Sequence, residues 1–216
     1  MELIFAGASH YGLGGYESIK PFFDKVYLLK DCTQEILNAK RPWDTIIDKF
    51  DDVDCEYVFL CGYAKFITED MLSRKTYINI HGALLPKYRG MHPTFYAIMN
   101  DEKELGVTFH LVNKYMDAGD LLAQYSFPYE GQTVAEINQK IDTLVEKYAG
   151  TVISDYLRGE IIPTEQDDSC ALFGAKRNLD DCLVDFTMPN YLLERFFRAL
   201  TPSYPYPMLN IRGEKI

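Results

Sequence analysis

A chain of 216 residues, 47% apolar and 14% aromatic, can bury the core of one α/β domain plus a modest extension. Its formal charge of −10 is the wrong sign for a nucleic-acid footprint over the whole chain, and no run approaches the ~18 apolar residues of a membrane span. The opening MELIFAGAS lacks the basic start and long apolar segment of a signal peptide, and the five scattered cysteines (Cys32, Cys55, Cys61, Cys170, Cys182) form no CxxC pair, which points to reduced thiols in the cytoplasm and no metal site.

Strand and helix signals alternate along the chain. Leu3–Ala6 reads as a strand and is followed by a glycine-rich turn, Gly7–Gly15. A helix is expected around Tyr16–Phe23, a strand over Lys25–Leu29, a short helix over Thr33–Ala39 and another over Trp43–Phe50. Tyr57–Cys61 is a continuous apolar run, as in a strand buried on both faces of a parallel sheet. Ile67–Leu72 is a helical link to the strand Tyr77–Ile80, and Pro93–Met99 is a further helix. Val107–Val112 and Leu122–Tyr129 read as strands. Thr133–Tyr148 is a helix opened by a Thr133/Glu136 capping box, with Val134, Ile137, Ile141, Leu144, Val145 and Tyr148 along one stripe. The alternation predicts an α/β class with a Rossmann-like, mostly parallel sheet, and ligands beyond the carboxyl ends of its strands.

After about Ile161 the long apolar periods stop. Leu192–Leu200 reads as a helix, Thr201–Pro207 as a proline-aromatic loop, and MLNIRGEKI as a strand turning at Gly213 into a second. Residues 1–160 are therefore expected to form the catalytic domain and 161–216 a small C-terminal subdomain, either truncated or reduced. Such a hairpin would suit a homodimer.

The chemistry lies between Tyr77 and Leu122. Asn79 and His81 are two apart on a strand and so project to one face, and Asp117 follows on a separate segment. An amide to hold an oxyanion, an imidazole to take a proton and a carboxylate to orient it are what acyl transfer to an amine requires. Taken singly, Asn79 could end a strand, His81 could be structural and Asp117 could belong to a turn with Gly119. His110 could be a core histidine or line a ligand site. His92 could be local structure or a substrate-loop contact.

Asn79-x-His81, Leu84-Leu85-Pro86 and Asp117-Ala118-Gly119-Asp120, in that order, resemble the core pattern of the formyltransferases that use 10-formyltetrahydrofolate. The resemblance is clearest over about residues 55–145. It implies the formyltransferase fold, a folate co-substrate and no metal. It also implies that Asn79 donates to the oxyanion, that His81 accepts the amine proton or helps hold the oxyanion, and that Asp117 orients His81. The folate pocket is expected at Gly62, Tyr63, Ala64, Lys65 and Phe66 and at His110, Val112, Asn113 and Met116.

The acceptor is read from departures within the family. The Gly-Asn-Gly-Ser-Asn phosphate loop of the glycinamide ribonucleotide enzymes is replaced by Gly7-Ala8-Ser9-His10-Tyr11-Gly12. The segment after Ile161 is too short for the C-terminal barrel of the methionyl-tRNA enzymes. Tyr88-Arg89-Gly90 resembles the sugar-nucleotide N-formyltransferases. The expectation is a dTDP- or UDP-amino-deoxy sugar for surface glycan (lipopolysaccharide) synthesis. Ser9, His10, Tyr11, Tyr88, Arg89 and Tyr204 are the substrate candidates, and no nucleic acid or membrane partner is expected. A formyltetrahydrofolate hydrolase and a non-catalytic binding module on the same scaffold are the alternatives from other classes.

Overall fold

The computed structural model describes residues 1–202, 205–211 and 214–215. Its strands are β1 (Glu2–Gly7), β2 (Lys25–Leu29), β3 (Thr45–Ile47), β4 (Tyr57–Cys61), β5 (Thr76–His81), β6 (Arg89–Gly90), β7 (Glu104–Leu111), β8 (Leu121–Pro128), β9 (Phe173–Gly174), β10 (Asn210–Ile211) and β11 (Glu214–Lys215). Its helices are α1 (Gly12–Ile19), α2 (Gln34–Asn38), α3 (Glu69–Leu72), α4 (Pro93–Met99), α5 (Val134–Leu157) and α6 (Asn190–Leu200).

Seven strands form one sheet in the order β3-β2-β1-β4-β5-β7-β8. From β3 to β5 every pairing is parallel; β7 runs antiparallel to both β5 and β8. The mostly parallel α/β sheet read from the strand–helix alternation is thus the observed class. β1 and β4 are almost wholly apolar because both of their faces are covered, and Leu3, Ile4, Phe5, Val58 and Phe59 are fully buried. Chain order reverses between β1 and β4, which opens a crevice at their carboxyl ends.

Two predicted elements are corrected. Trp43–Phe50 is not helical: Thr45–Ile47 is an edge strand parallel to β2, as its three β-branched residues favour once a neighbouring strand is available. The first helix begins at Gly12, inside the predicted glycine turn, and Lys20–Phe22 after it is a 3₁₀ turn. Gly15 is needed there for close approach, since a Cβ would lie 2.5 Å from Cys61 Sγ. α5 starts as expected, with Thr133 and Glu136 in a reciprocal capping box, but runs on to Leu157. Its buried stripe continues through Ala149, Val152 and Ile153, and the helix packs against α1.

The stretch after residue 160 attaches to the edge strand β8, to β6 and to α4. Thr164 bridges to Leu121, and β9 pairs with β6. Cys182, Phe196 and Leu200 form a second small core with Phe95 and Met99 of α4. β10 and β11 pair antiparallel; Gly213, the expected turn, lies outside the described residues. Among the described residues no helix is long and apolar enough to cross a membrane.

Candidate active site

β5 carries Asn79 and His81 to one end of the sheet, and β7 lies antiparallel beside it in a register that sets Asn79 opposite His110 and His81 opposite Thr108. Asn79 Nδ2 is 3.3 Å from His110 Nε2. His110 Nδ1 lies 2.7 Å from the Leu111 carbonyl, which can only accept, so Nδ1 carries the proton and Nε2 accepts from the Asn79 amide. Burial pushes the His110 imidazole down to about 4, outweighing the opposing charge of Asp117, so the ring is neutral near pH 7. The Asn79 amide keeps its second hydrogen for another acceptor.

His81 is similarly fixed. Its Nε2 donates to the Tyr88 carbonyl at 2.7 Å, which leaves Nδ1 as the proton-accepting position. That nitrogen faces Asp117 Oδ2 at 3.5 Å, while Asp117 Oδ1 is 3.6 Å from His110 Nε2. One carboxylate therefore stands between the two imidazoles. His81 and His110 are buried, 6% and 1% exposed, so the Asp117 carboxylate acts on both rings with little screening by solvent.

Asp117 is held both by its carboxylate and by its backbone carbonyl. Gly90 N–H donates to its Oδ2 at 2.8 Å. The Gln166 amide donates to the Asp117 carbonyl at 2.9 Å and to the Gly119 carbonyl at 2.7 Å. Gln166 Oε1 in turn accepts from Arg89 Nε at 3.1 Å and Nη2 at 2.8 Å. Gly90 has φ +97°, and a Cβ there would lie 2.6 Å from the Gly174 carbonyl, so only glycine lets β6 pair this closely with β9. Ser9, Tyr88, His92 and Asp117 have positive φ and all flank this site. Such backbone conformations cost of order 1–3 kcal/mol each and persist where the surroundings over-determine them.

Two cavities meet at Asn79 and Asp117. The first, of 380 Å³, is lined by Ser9, His10, Tyr11, Gly62, Tyr63 and Ala64 from the loops after β1 and β4, by Asn79 and His81, and by Met116 and Asp117. The second, of 140 Å³, is lined by Lys65, Phe66 and Ile67, by Asn79 and His110, and by the loop Val112–Asp117. Tyr63 and Met116 belong to both. Burial drives the Tyr11 phenol well above its ordinary range, followed in effect by the neighbouring Cys61. His10 Nδ1 is hydrogen-bonded to Asp142 Oδ1, and Lys65 is ion-paired with Asp31.

Tyr88 and Arg89 require correction as substrate contacts, because neither lines either cavity. The Tyr88 side chain turns away, and its hydroxyl is bonded to Glu102 and Asn100. Arg89 is 4% exposed and spent on Gln166 and Asp168. What Tyr88 offers the site is its carbonyl. Tyr204 lies outside the described residues. Sequence reasoning missed Gln166, Asn138 and Ile141, the last two lining the first cavity from α5. Only Ile141 carried a signal, as part of the apolar stripe. Among the described residues no group of three or more His, Cys, Asp or Glu is arranged to hold a metal ion.

Comparison with known proteins accords with this geometry. The chain is 32% identical over 174 residues to the methionyl-tRNA formyltransferase of Limosilactobacillus fermentum, an alignment covering 79% of this chain and 54% of that protein. The chain thus spans about half the length of the curated relatives it matches. A 4-N formyltransferase from Francisella tularensis superposes with a TM-score of 0.79 at 18% identity, over 100% of this chain and 95% of that one. An N-formyltransferase from Helicobacter canadensis, in complex with folinic acid and dTDP-3-aminofucose, superposes with a TM-score of 0.78 at 19% identity, over 99% of this chain and 85% of that one. At such identities these structures speak to the fold alone. The Formyl transferase family profile matches residues 28–153, more than half of the sequence, and the chain belongs to that family.

Proposed function

We propose that this chain transfers a formyl group from 10-formyltetrahydrofolate to the primary amine of a nucleotide-linked amino sugar, a dTDP- or UDP-amino-deoxy sugar used in surface glycan synthesis. The observation that carries this reading is the meeting of two cavities at Asn79 and Asp117, one on each side of the reacting groups. A transfer between two bound molecules needs two such compartments opening on one set of catalytic side chains.

The smaller compartment fits a folate. Leu60, Ile67 and Val112 offer apolar walls, Phe66 stands 72% exposed at its rim, and the Asn113–Asp117 backbone borders it with polar groups. That combination suits a flat heterocycle with a polar edge. The folate supplies an activated formyl carbon; the remaining work belongs to the chain. The free N–H of Asn79 stabilises the carbonyl oxygen as it gains negative charge, a contribution typically worth ~2.7–4 kcal/mol. His81 Nδ1 receives the proton from the attacking amine, since Nε2 is already committed to Tyr88. The Tyr88 carbonyl orients that ring, and Asp117, 3.5 Å from Nδ1, stabilises the positive charge once Nδ1 has taken the proton. Asp117 also relays the proton, through water, to the departing folate nitrogen in this reading.

The Helicobacter canadensis protein, bound to a folate and a dTDP-amino sugar, supports the acceptor class. The name of the Limosilactobacillus fermentum relative favours a second reading, methionyl-tRNA as the acceptor. A charge of −10 weighs against it, because tRNA binding draws on neutralised phosphates. The test is tetrahydrofolate formation from 10-formyltetrahydrofolate, followed by absorbance with dTDP- and UDP-amino sugars, methionyl-tRNA, glycinamide ribonucleotide and no amine. Turnover restricted to an amino sugar is the expected result. Turnover with methionyl-tRNA alone replaces the acceptor, and turnover without amine makes the protein a hydrolase.

A further inference from the structure

Beside the acceptor-side cavity lies a side pocket of 210 Å³, lined by His10, His92, Thr94, Asn138, Phe95 and Arg177, with no carboxylate among its lining residues. Its first four residues also line the acceptor-side cavity, so the two spaces adjoin.

Arg177 is the exceptional group. Its guanidinium lies 4.0 Å over the Phe95 ring. Nη1 reaches only the Cys182 thiol, at 3.7 Å, and Nε is buried with no hydrogen-bond partner. Asp181, whose charge is felt at Arg177, instead accepts from the Asn178 backbone N–H at 2.7 Å. A half-buried guanidinium lacking an ion pair among the described residues is unfavourable, and in a chain with 32 acidic residues the missing partner calls for an explanation.

Further positive charge gathers at the same place. Lys176 precedes Arg177, and both act on His92, whose Nε2 is likewise buried without a partner. His10, across the pocket, is tied by its Nδ1 to the Asp142 carboxylate. His92 sits at φ +54°, a backbone conformation that directs the chain from β6 into α4 beside the pocket. The cluster is cationic, pre-ordered by ring stacking, and lacks one thing: an anion of a size to enter from the acceptor side.

We propose that this pocket binds the phosphate groups of the acceptor, with Arg177 as the principal contact and Lys176 adding positive charge beside it. His92, held neutral by burial and by those two cations, offers its unpartnered Nε2. The proposal rests on the acceptor reading above and deepens it: the acceptor is a nucleoside diphosphate conjugate, held by its phosphates on one side while its amine faces Asn79 and His81. Arg177 is then a specificity-determining residue that acts on binding.

Isothermal titration of the full chain with dTDP, UDP and inorganic pyrophosphate tests this directly. One nucleoside diphosphate should bind, and Arg177→Met should weaken it by ~10- to 100-fold, as expected for loss of a charge-assisted contact. Arg177→Lys should recover part of that loss. Asn138→Asp, which places a negative charge on the pocket wall without touching the core, should weaken binding as well and serves if Arg177→Met fails to fold. In turnover with an amino sugar, Arg177→Met should raise KM by a similar factor and leave kcat within about threefold, the pattern of lost ground-state binding. Equal diphosphate affinity in wild type, Arg177→Met and Asn138→Asp overturns the proposal, as does absence of diphosphate binding to wild type. Formyl transfer to a dTDP-amino sugar with unchanged KM in Arg177→Met sinks the pocket and leaves the acceptor class standing. Transfer to a phosphate-free amine, with diphosphate binding still dependent on Arg177, sinks the acceptor class and leaves the pocket.

Discussion

Asn79 and His110 face each other across the antiparallel pair β5–β7, with the amide nitrogen 3.3 Å from the imidazole. The amide proposed to hold the oxyanion is thus aimed by a neutral histidine whose own tautomer is set by the Leu111 carbonyl. Replacing Asn79 by Ala should lower kcat by ~10²–10³ with little change in KM, because its bond strengthens as the oxyanion forms. His110→Ala should produce a smaller loss, up to ~10²-fold, by freeing the amide to turn away. Steady-state kinetics on both variants check this; a pure KM effect in Asn79→Ala would reassign the amide to substrate binding.

His81→Ala and Asp117→Ala should each reduce kcat by at least ~10²-fold, the usual contribution of a positioned acid–base group. The double variant should lose much less than the product of the two, since the carboxylate acts through the ring it faces at 3.5 Å. Single-turnover rates measured with saturating folate provide the comparison, and near-normal rates in either single variant would remove these residues from the chemistry.

Gln166 is a positioning residue, linking Arg89 to the backbone on both sides of Ala118. Gln166→Ala leaves two carbonyls and a buried guanidinium short of partners, at a cost of about 1–3 kcal/mol in stability for each unsatisfied group. The expected enzymatic signature is a fall in kcat of roughly tenfold with KM nearly constant, since a small displacement of Asp117 affects the reacting geometry more than ligand affinity. Arg89→Lys, which cannot reproduce the two-pronged contact, should behave likewise but more mildly. Thermal unfolding and kinetics on the same samples separate the two effects. A loss of stability without any loss of kcat would make Gln166 purely structural.

Stability should respond to pH through His110. Its folded-state pKa is held near 4 by burial against an ordinary value of 6.5, so the unfolded chain binds more protons between those limits. Stability is accordingly full above about pH 6.5 and is lost as the pH falls toward 4, by an amount of order a few kcal/mol. His110→Gln abolishes this dependence. Its melting temperature should therefore drop less steeply than that of wild type over the same interval in differential scanning fluorimetry, and identical slopes would place the titrating group elsewhere.

Local pattern carried much of the architecture. The buried strand at Tyr57–Cys61, α4 at Pro93–Met99 and the Thr133/Glu136 cap are written in short-range hydrophobicity and capping chemistry, and each is found in its expected place. Thr45–Ile47 was not legible in that way, because a three-residue edge strand is specified by the neighbour it pairs with. Tyr88 and Arg89 were misread for a related reason. A basic, aromatic turn suggests ligand contact, yet the positive φ at Tyr88 presents its carbonyl to His81 and turns its ring toward Glu102.

By itself the sequence determined the fold class, the spacing that puts Asn79 and His81 on one strand face, and the segment that brings Asp117 to them. These depend on periodicities of two and 3.6 residues and on neighbours close in the chain. Tertiary structure alone decided that His110 aims Asn79, that Gln166 braces the Asp117 loop, and that Arg177 stands beside His92 without a counter-ion among the described residues. Those relationships join residues separated by dozens of positions. They follow from strand register and from the path of the C-terminal segment past β8, β6 and α4, which no local pattern of side chains encodes.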